Sequence, residues 1–129
     1  MASPLAALSP LDGRYAKATD PLRAYFSEQG LIRYRVRIEL EWLQALAGER
    51  SIAELKPFSA RTRRDFARLI EDFSERDAEH IKAIEAQTNH DVKAIEYWLK
   101  ARLAKNREAQ RSLEFVHFAC TSEDINNLS

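Results

Sequence analysis

Only one cysteine, Cys120, occurs in the 129 residues. No disulfide can form within the chain, which reads as a protein of a reducing compartment, the cytoplasm. Glycine and proline are scarce, with three of the former and four of the latter. That excludes a collagen-like chain. All seven lie at or before Pro57, and residues 58–129 contain neither. Both residues are costly in helix interiors, so this stretch favours helices. No apolar run approaches the ~20 residues that a membrane helix needs. Residues 1–10 show neither the cationic nor the apolar segment of a secretory signal. Neither charge sign is in excess: Lys+Arg and Asp+Glu each total 20, for a net charge of zero. A dedicated binder of nucleic acid or of an anionic membrane normally carries a basic surplus. What is present is 45% hydrophobic and 31% charged residues, which argues against wholesale disorder. The length suits about one domain and permits one core.

Cap residues recur along the second half. Ser59 precedes Phe66, Leu69, Ile70 and Phe73, which share one face of a helix. Ser74 with Asp77 resembles a capping box ahead of Ala78, Ile81 and Ile84. Thr88 with Asp91 repeats the device ahead of Val92, Ile95, Leu99 and Leu103. A fourth helix is expected within residues 107–118. From Ile32 to Trp42 apolar residues alternate with Arg or Glu, the pattern of a strand. Yet Arg35 with Glu39 and Arg37 with Glu41 are opposite charges at helical spacing. No partner strand exists elsewhere, and Gly48 offers a stop. A helix is predicted, apolar on more than one side and in need of several neighbours. The fold class is therefore all-α, with an irregular, turn-rich start around residues 9–15. Thr121 to Asp124 opens a last helix only about two turns from Ser129, so the chain looks cut.

Three clusters can carry chemistry, each with a plainer alternative. Gly13-Arg14-Tyr15 sets a permanent cation and a phenol beside a flexible residue. Such an arginine holds a phosphate or carboxylate, or is a solvated turn residue. Asn89-His90-Asp91 stands at a helix start, where free N–H groups favour an anion and an imidazole can donate to it or move a proton. Alternatively Thr88 or Asn89 caps, Asp91 complements the dipole and His90 is merely exposed. Thr121-Ser122 offers two hydroxyls at another helix start, either to a carboxylate or to a box with Asp124. His80, His90 and His117 show no metal-ligand spacing, so no metal site is expected. His117 reads as a hydrogen-bonded core histidine. Trp42 and Trp98 read as packing residues, and Arg33, Arg35 and Arg37 as a solvated or salt-bridged face.

Taken together, Ser9-Pro-Leu-Asp-Gly-Arg-Tyr15, Thr88-Asn-His-Asp-Val-Lys-Ala-Ile-Glu-Tyr97 and His117-Phe-Ala-Cys-Thr-Ser-Glu-Asp-Ile-Asn-Asn127 resemble the adenylosuccinate lyase family in content, order and spacing. The resemblance implies the amino-terminal helical domain of the fumarase/aspartase-like lyase fold over residues 1–111, with residues 112–129 starting the central helical bundle. It implies a carbon–nitrogen lyase of purine and AMP biosynthesis, eliminating fumarate from adenylosuccinate and from the succinylcarboxamide ribotide. Arg14 and Tyr15 match substrate-contacting positions, with Arg14 expected on the nucleotide phosphate. Asn89, His90 and Asp91 match a second such stretch, with His90 the catalytic candidate on the succinyl group. Thr121 and Ser122 match the residues that hold a carboxylate of the fumarate portion. The family needs no cofactor, its remaining proton-transfer residues lie beyond residue 129, and the full enzyme is a homotetramer. The fragment alone is expected to be inactive. The alternative is a non-catalytic helical interaction module; a nucleic-acid binder built on Arg33, Arg35 and Arg37 is more remote.

Overall fold

The computed structural model describes residues 3–129; Met1 and Ala2, part of the stretch searched for a signal, lie outside the described residues. The chain divides into two compact units, Met1–Leu31 and Ile32–Ser129. Among the described residues there is no strand.

The first unit is built from turns and short helices: 3-10 turns at Pro4–Ala6 and Asp20–Leu22, α1 (Ala16–Thr19) and α2 (Arg23–Phe26). Its start is irregular, as predicted. Gly13 serves here by lacking a side chain, not by flexibility. No glycine has positive φ, but a Cβ on Gly13 would come within 2.7 Å of the Pro4 carbonyl oxygen. The turn is held by Gly13 N–H to the Ser9 carbonyl at 3.0 Å and Tyr15 N–H to the Pro10 carbonyl at 2.9 Å. Leu5, Leu8 and Phe26 are exposed.

The second unit holds the core. The alternating segment is helical, within α3 (Glu28–Gly48), which ends at Gly48 as expected. Ile32, Val36, Leu40 and Leu43 are buried on it, while Tyr34, Ile38 and Trp42 are half-buried on other sides. The two predicted ion pairs diverge. Arg37 and Glu41 meet at 2.7 Å on the exposed face. Arg35 and Glu39 do not pair, because both lie along the buried stripe, where each finds a partner from another element. Arg35 bonds Asp91, and Glu39 turns inward to His117.

Three further helices follow the caps: α4 (Ala60–Glu71), α5 (Glu75–Thr88) and α6 (Asp91–Leu103). Ser59 Oγ accepts from Thr62 N–H at 3.2 Å. Ser74 and Asp77 form the full reciprocal box. The third cap is a correction. Thr88 is the last residue of α5, its hydroxyl donating to the His90 carbonyl at 3.2 Å. Asn89 closes α5 in the left-handed region at φ 52°, which asparagine tolerates. His90 itself caps α6. The two-residue link makes α5 and α6 an antiparallel hairpin, whose far ends are tied by the Asp77–Arg102 ion pair.

Helix α6 is the central one, with Val92, Ala94, Ile95, Trp98, Leu99 and Leu103 all buried. Trp98 packs edge-on against Phe73 at 5.7 Å, and Phe58 against Phe66 at 5.1 Å. Truncating such a ring to alanine costs about 3–5 kcal/mol. Glu96, also buried, bonds Lys93 at 2.7 Å and Lys100 at 3.0 Å. Burial pushes its carboxyl up, but the two ammonium groups outweigh that and hold it below the usual range. The expected fourth helix is instead a 3-10 segment, Ala109–Phe115. Its start is fixed by Asn106 Oδ1, which accepts from Glu108 and Ala109 N–H and so tightens the chain. Ala109 and Ser112, three apart, stack on one buried edge. The last helix, α7 (Ser122–Leu128), starts where predicted and buries Ile125.

Candidate functional site

In the first unit, Tyr15 begins α1 without a side-chain cap, and Arg14 lies beside it. One guanidinium N–H donates to the Tyr15 hydroxyl at 2.8 Å, and the guanidinium carbon stands 4.6 Å from the ring centroid. Both residues are exposed. No carboxylate pairs with Arg14 among the described residues, so its remaining donors are available to an anion.

In the second unit, His90 takes an uncommon cap role. Its Nδ1 accepts from Lys93 N–H at 3.2 Å. A nitrogen that accepts carries no proton, so the neutral ring holds its proton on Nε2. The side chain is 50% exposed, leaving that N–H to solvent or a ligand. Asn89, next to it, presents an exposed amide. Asp91 points one oxygen at Val92 N–H, 2.8 Å away, and the other at Arg35 Nη2, also at 2.8 Å. Burial pushes the Asp91 carboxyl up, but the Val92 N–H and the Arg35 guanidinium outweigh it and hold the group ionised below its usual range.

Arg35 is salt-bridged, as its charged surroundings predict, but to Asp91 and not to Glu39. Its side chain is only 12% exposed, and its Nε donates to Asn126 Oδ1 at 2.9 Å. One half-buried guanidinium thus joins the start of α6 to α7. Thr121 is five residues before Asn126, about 7–8 Å along the helix axis. The structure therefore brings residues 89–91 and α7 onto one framework. Asn126 lay inside a recognised motif, but no local signal marked it as Arg35's partner.

At the start of α7 the expected carboxylate-binding groups are already engaged. Thr121 N–H and Oγ1–H donate to Asp124 Oδ2 at 2.7 and 2.8 Å, and Thr121 Oγ1 accepts from Asp124 N–H at 3.3 Å. The Thr121 backbone and side-chain bonds hold the Asp124 carboxyl below its usual range. The box is the alternative weighed from sequence, and it forms. Ser122 is half-buried and its hydroxyl has no hydrogen-bond partner among the described residues. The Ser122 hydroxyl is thus accessible to a further partner, whereas Thr121 becomes so only if Asp124 is displaced. No group of three or more metal-ligating side chains occurs among the described residues, and no described helix is long and apolar enough to cross a membrane.

Residues 13–129 match the family described as lyase. The chain is 54% identical over 127 residues to the adenylosuccinate lyase of Haemophilus influenzae, 51% to that of Escherichia coli and 52% to that of Vibrio cholerae. Each match covers 98% of this chain and 28% of the relative, so the chain spans less than a third of the length of these relatives. An all-helical chain with these motifs in this order, matched almost end to end, belongs to the lyase family.

Proposed function

We propose that this chain is the amino-terminal part of an adenylosuccinate lyase and supplies part of its substrate-binding surface. The reaction eliminates fumarate from adenylosuccinate, giving AMP, and likewise from the succinylcarboxamide ribotide. A base removes a proton from the carbon beside a carboxylate, that electron pair becomes the new C=C bond, and the C–N bond breaks with its pair leaving on nitrogen. An acid then protonates the nitrogen. Negative charge accumulates on the carboxylate flanking the carbanion, so fixed donors aimed there lower the barrier.

The chain's own residues divide that work. Arg14, with Tyr15 beside it, binds the nucleotide phosphate through its free guanidinium donors. His90 donates its Nε2–H to the succinyl group and is the catalytic residue of this chain. Asn89 and Asp91 flank it, and Thr121 and Ser122 hold a carboxylate. Residues 112–129 begin the central bundle, and the assembled enzyme is a cytoplasmic homotetramer.

One observation carries this reading: Arg35 fixes the start of α6 and α7 to each other while the His90 cap leaves an N–H outward. The test joins this chain to the remaining residues of the Haemophilus influenzae relative and assays fumarate release. The joined enzyme is expected to turn over and the 129-residue chain alone to be silent. Arg14→Ala is expected to raise KM for adenylosuccinate by about tenfold or more, the worth of a charge-assisted phosphate contact. A joined enzyme without activity supports a non-catalytic helical module instead, and an active one indifferent to Arg14→Ala overturns the phosphate-binding role of Arg14.

A further inference from the structure

Glu39 is the least expected residue of α3. Its side chain is fully buried between Val36, Leu40 and Leu43 on the core stripe. One oxygen meets His117 Nδ1 at 2.6 Å, and the other has no partner among the described residues. Burial pushes this carboxyl up, and the His117 bond pulls it partly back. A half-satisfied buried carboxylate is a poor stabiliser, since an apolar side chain of similar size commonly serves the core as well or better. Its position needs another reason.

The partner supplies one. His117 has φ 63° and Ala119 has φ 59°, two left-handed residues, neither of them glycine, within three positions. Such backbone persists only when its surroundings impose it. Trp42, three residues after Glu39 on the same helix, donates its Nε1–H to the Phe118 carbonyl between them at 2.7 Å. The Phe118 ring packs edge-on against Phe115 at 5.5 Å. The strained turn ends at Cys120, and the next residue is Thr121, the cap of α7.

We propose that Glu39 and Trp42 are positioning residues, a two-point grip on the strained turn at 117–119 that sets where Thr121 and Ser122 stand for a ligand carboxylate. The proposal rests on the reading of Thr121 and Ser122 as ligand-binding. Neither gripping residue needs to touch substrate. The grip is separate from the Arg35 bridge, which holds α7 at its other end.

The experiment has two arms. In the 129-residue chain, Glu39→Met removes the charged anchor, Glu39→Gln keeps an acceptor for His117, and Trp42→Phe keeps the ring but removes the donor. The Cα chemical shifts of His117 and Ala119 are expected to leave left-handed values in Glu39→Met and Trp42→Phe. Amide signals of residues 121–124 should move with them, while those of the α5–α6 core stay in place. Glu39→Gln should retain the parent pattern. Unchanged turn shifts in Glu39→Met and Trp42→Phe, or changes spread evenly over the core, would overturn the grip. In the joined enzyme, Glu39→Met and Trp42→Phe are expected to raise KM about tenfold with a smaller change in kcat, a loss that misplaced binding groups suffice to cause. If Arg14→Ala impairs that enzyme but these two variants do not, the positioning role falls and the functional reading stands. If the joined enzyme itself is inactive, the functional reading falls and takes the positioning role with it.

Discussion

Helix starts in the second unit are of two kinds. At α4, α5 and α7 a hydroxyl residue caps, and a carboxylate accepts from that residue's own N–H and hydroxyl. Ser59 is joined by Glu108 from the distant 3-10 region, Ser74 by Asp77 and Thr121 by Asp124. At α6 the cap is an imidazole, and the neighbouring carboxylate of Asp91 is drawn toward Arg35. In the first kind the cap side chain is engaged from within the chain on both its donor and its acceptor side. The second satisfies the helix while leaving one ring nitrogen free. The difference separates caps whose side chain is wholly engaged in the resting chain from a cap that also presents a donor.

The comparison is broken most severely through Arg35. Arg35→Met removes the bridge between the start of α6 and Asn126 of α7 and leaves Asp91 without its cation. In the joined enzyme kcat/KM for fumarate release is expected to fall about a hundredfold, the scale of an ångström-sized misplacement. Steady-state assay of the purified variant decides this, and an unchanged value would show that the bridge is structural only. A smaller effect on stability belongs to the hydroxyl caps. Thr121→Ala should lower the unfolding free energy by about 1 kcal/mol, as loss of a hydroxyl cap typically does, measured by urea titration of the chain.

The smallest effect is a change of slope. Glu108 bonds Ser59 N–H at 2.9 Å, Ser59 Oγ at 2.6 Å and the Thr62 hydroxyl. The Ser59 and Thr62 hydroxyls and the Ser59 N–H bring its carboxyl down to about 2 from an ordinary 4.5. A folded value below the unfolded one means that its contribution is complete above pH 4.5 and is lost as pH falls toward 2. Glu108→Gln should therefore flatten stability against pH within that window and leave the slope above it unchanged. Urea midpoints at several pH values would show it, and parallel curves for the two proteins would contradict the assignment.

Local chemistry made much of this legible. Ser59, Ser74 and Thr121 announced their helices because a hydroxyl cap is decided within four residues. The charge spacing from Arg35 to Glu41 outweighed a strand-like alternation because no second strand was available. Long-range partners were not legible. Arg35 and Glu39 have ideal spacing for one another, yet each is taken by residues 56 to 91 positions away that only the fold brings near. The His90 cap was missed because hydroxyl and amide caps are so much commoner than imidazole ones. The candidate site was named by motif, whereas its framework of Arg35, Asn126, Glu39 and Trp42 required the fold.

His90→Asn tests the central claim most directly. Asparagine is among the best cap residues, so the α6 start and the unfolding midpoint should be retained while the free Nε2–H is lost. In the joined enzyme kcat/KM for fumarate release is expected to fall by about a hundredfold or more, the range for a positioned proton donor. A variant with the same midpoint and undiminished kcat/KM would contradict the role assigned to His90.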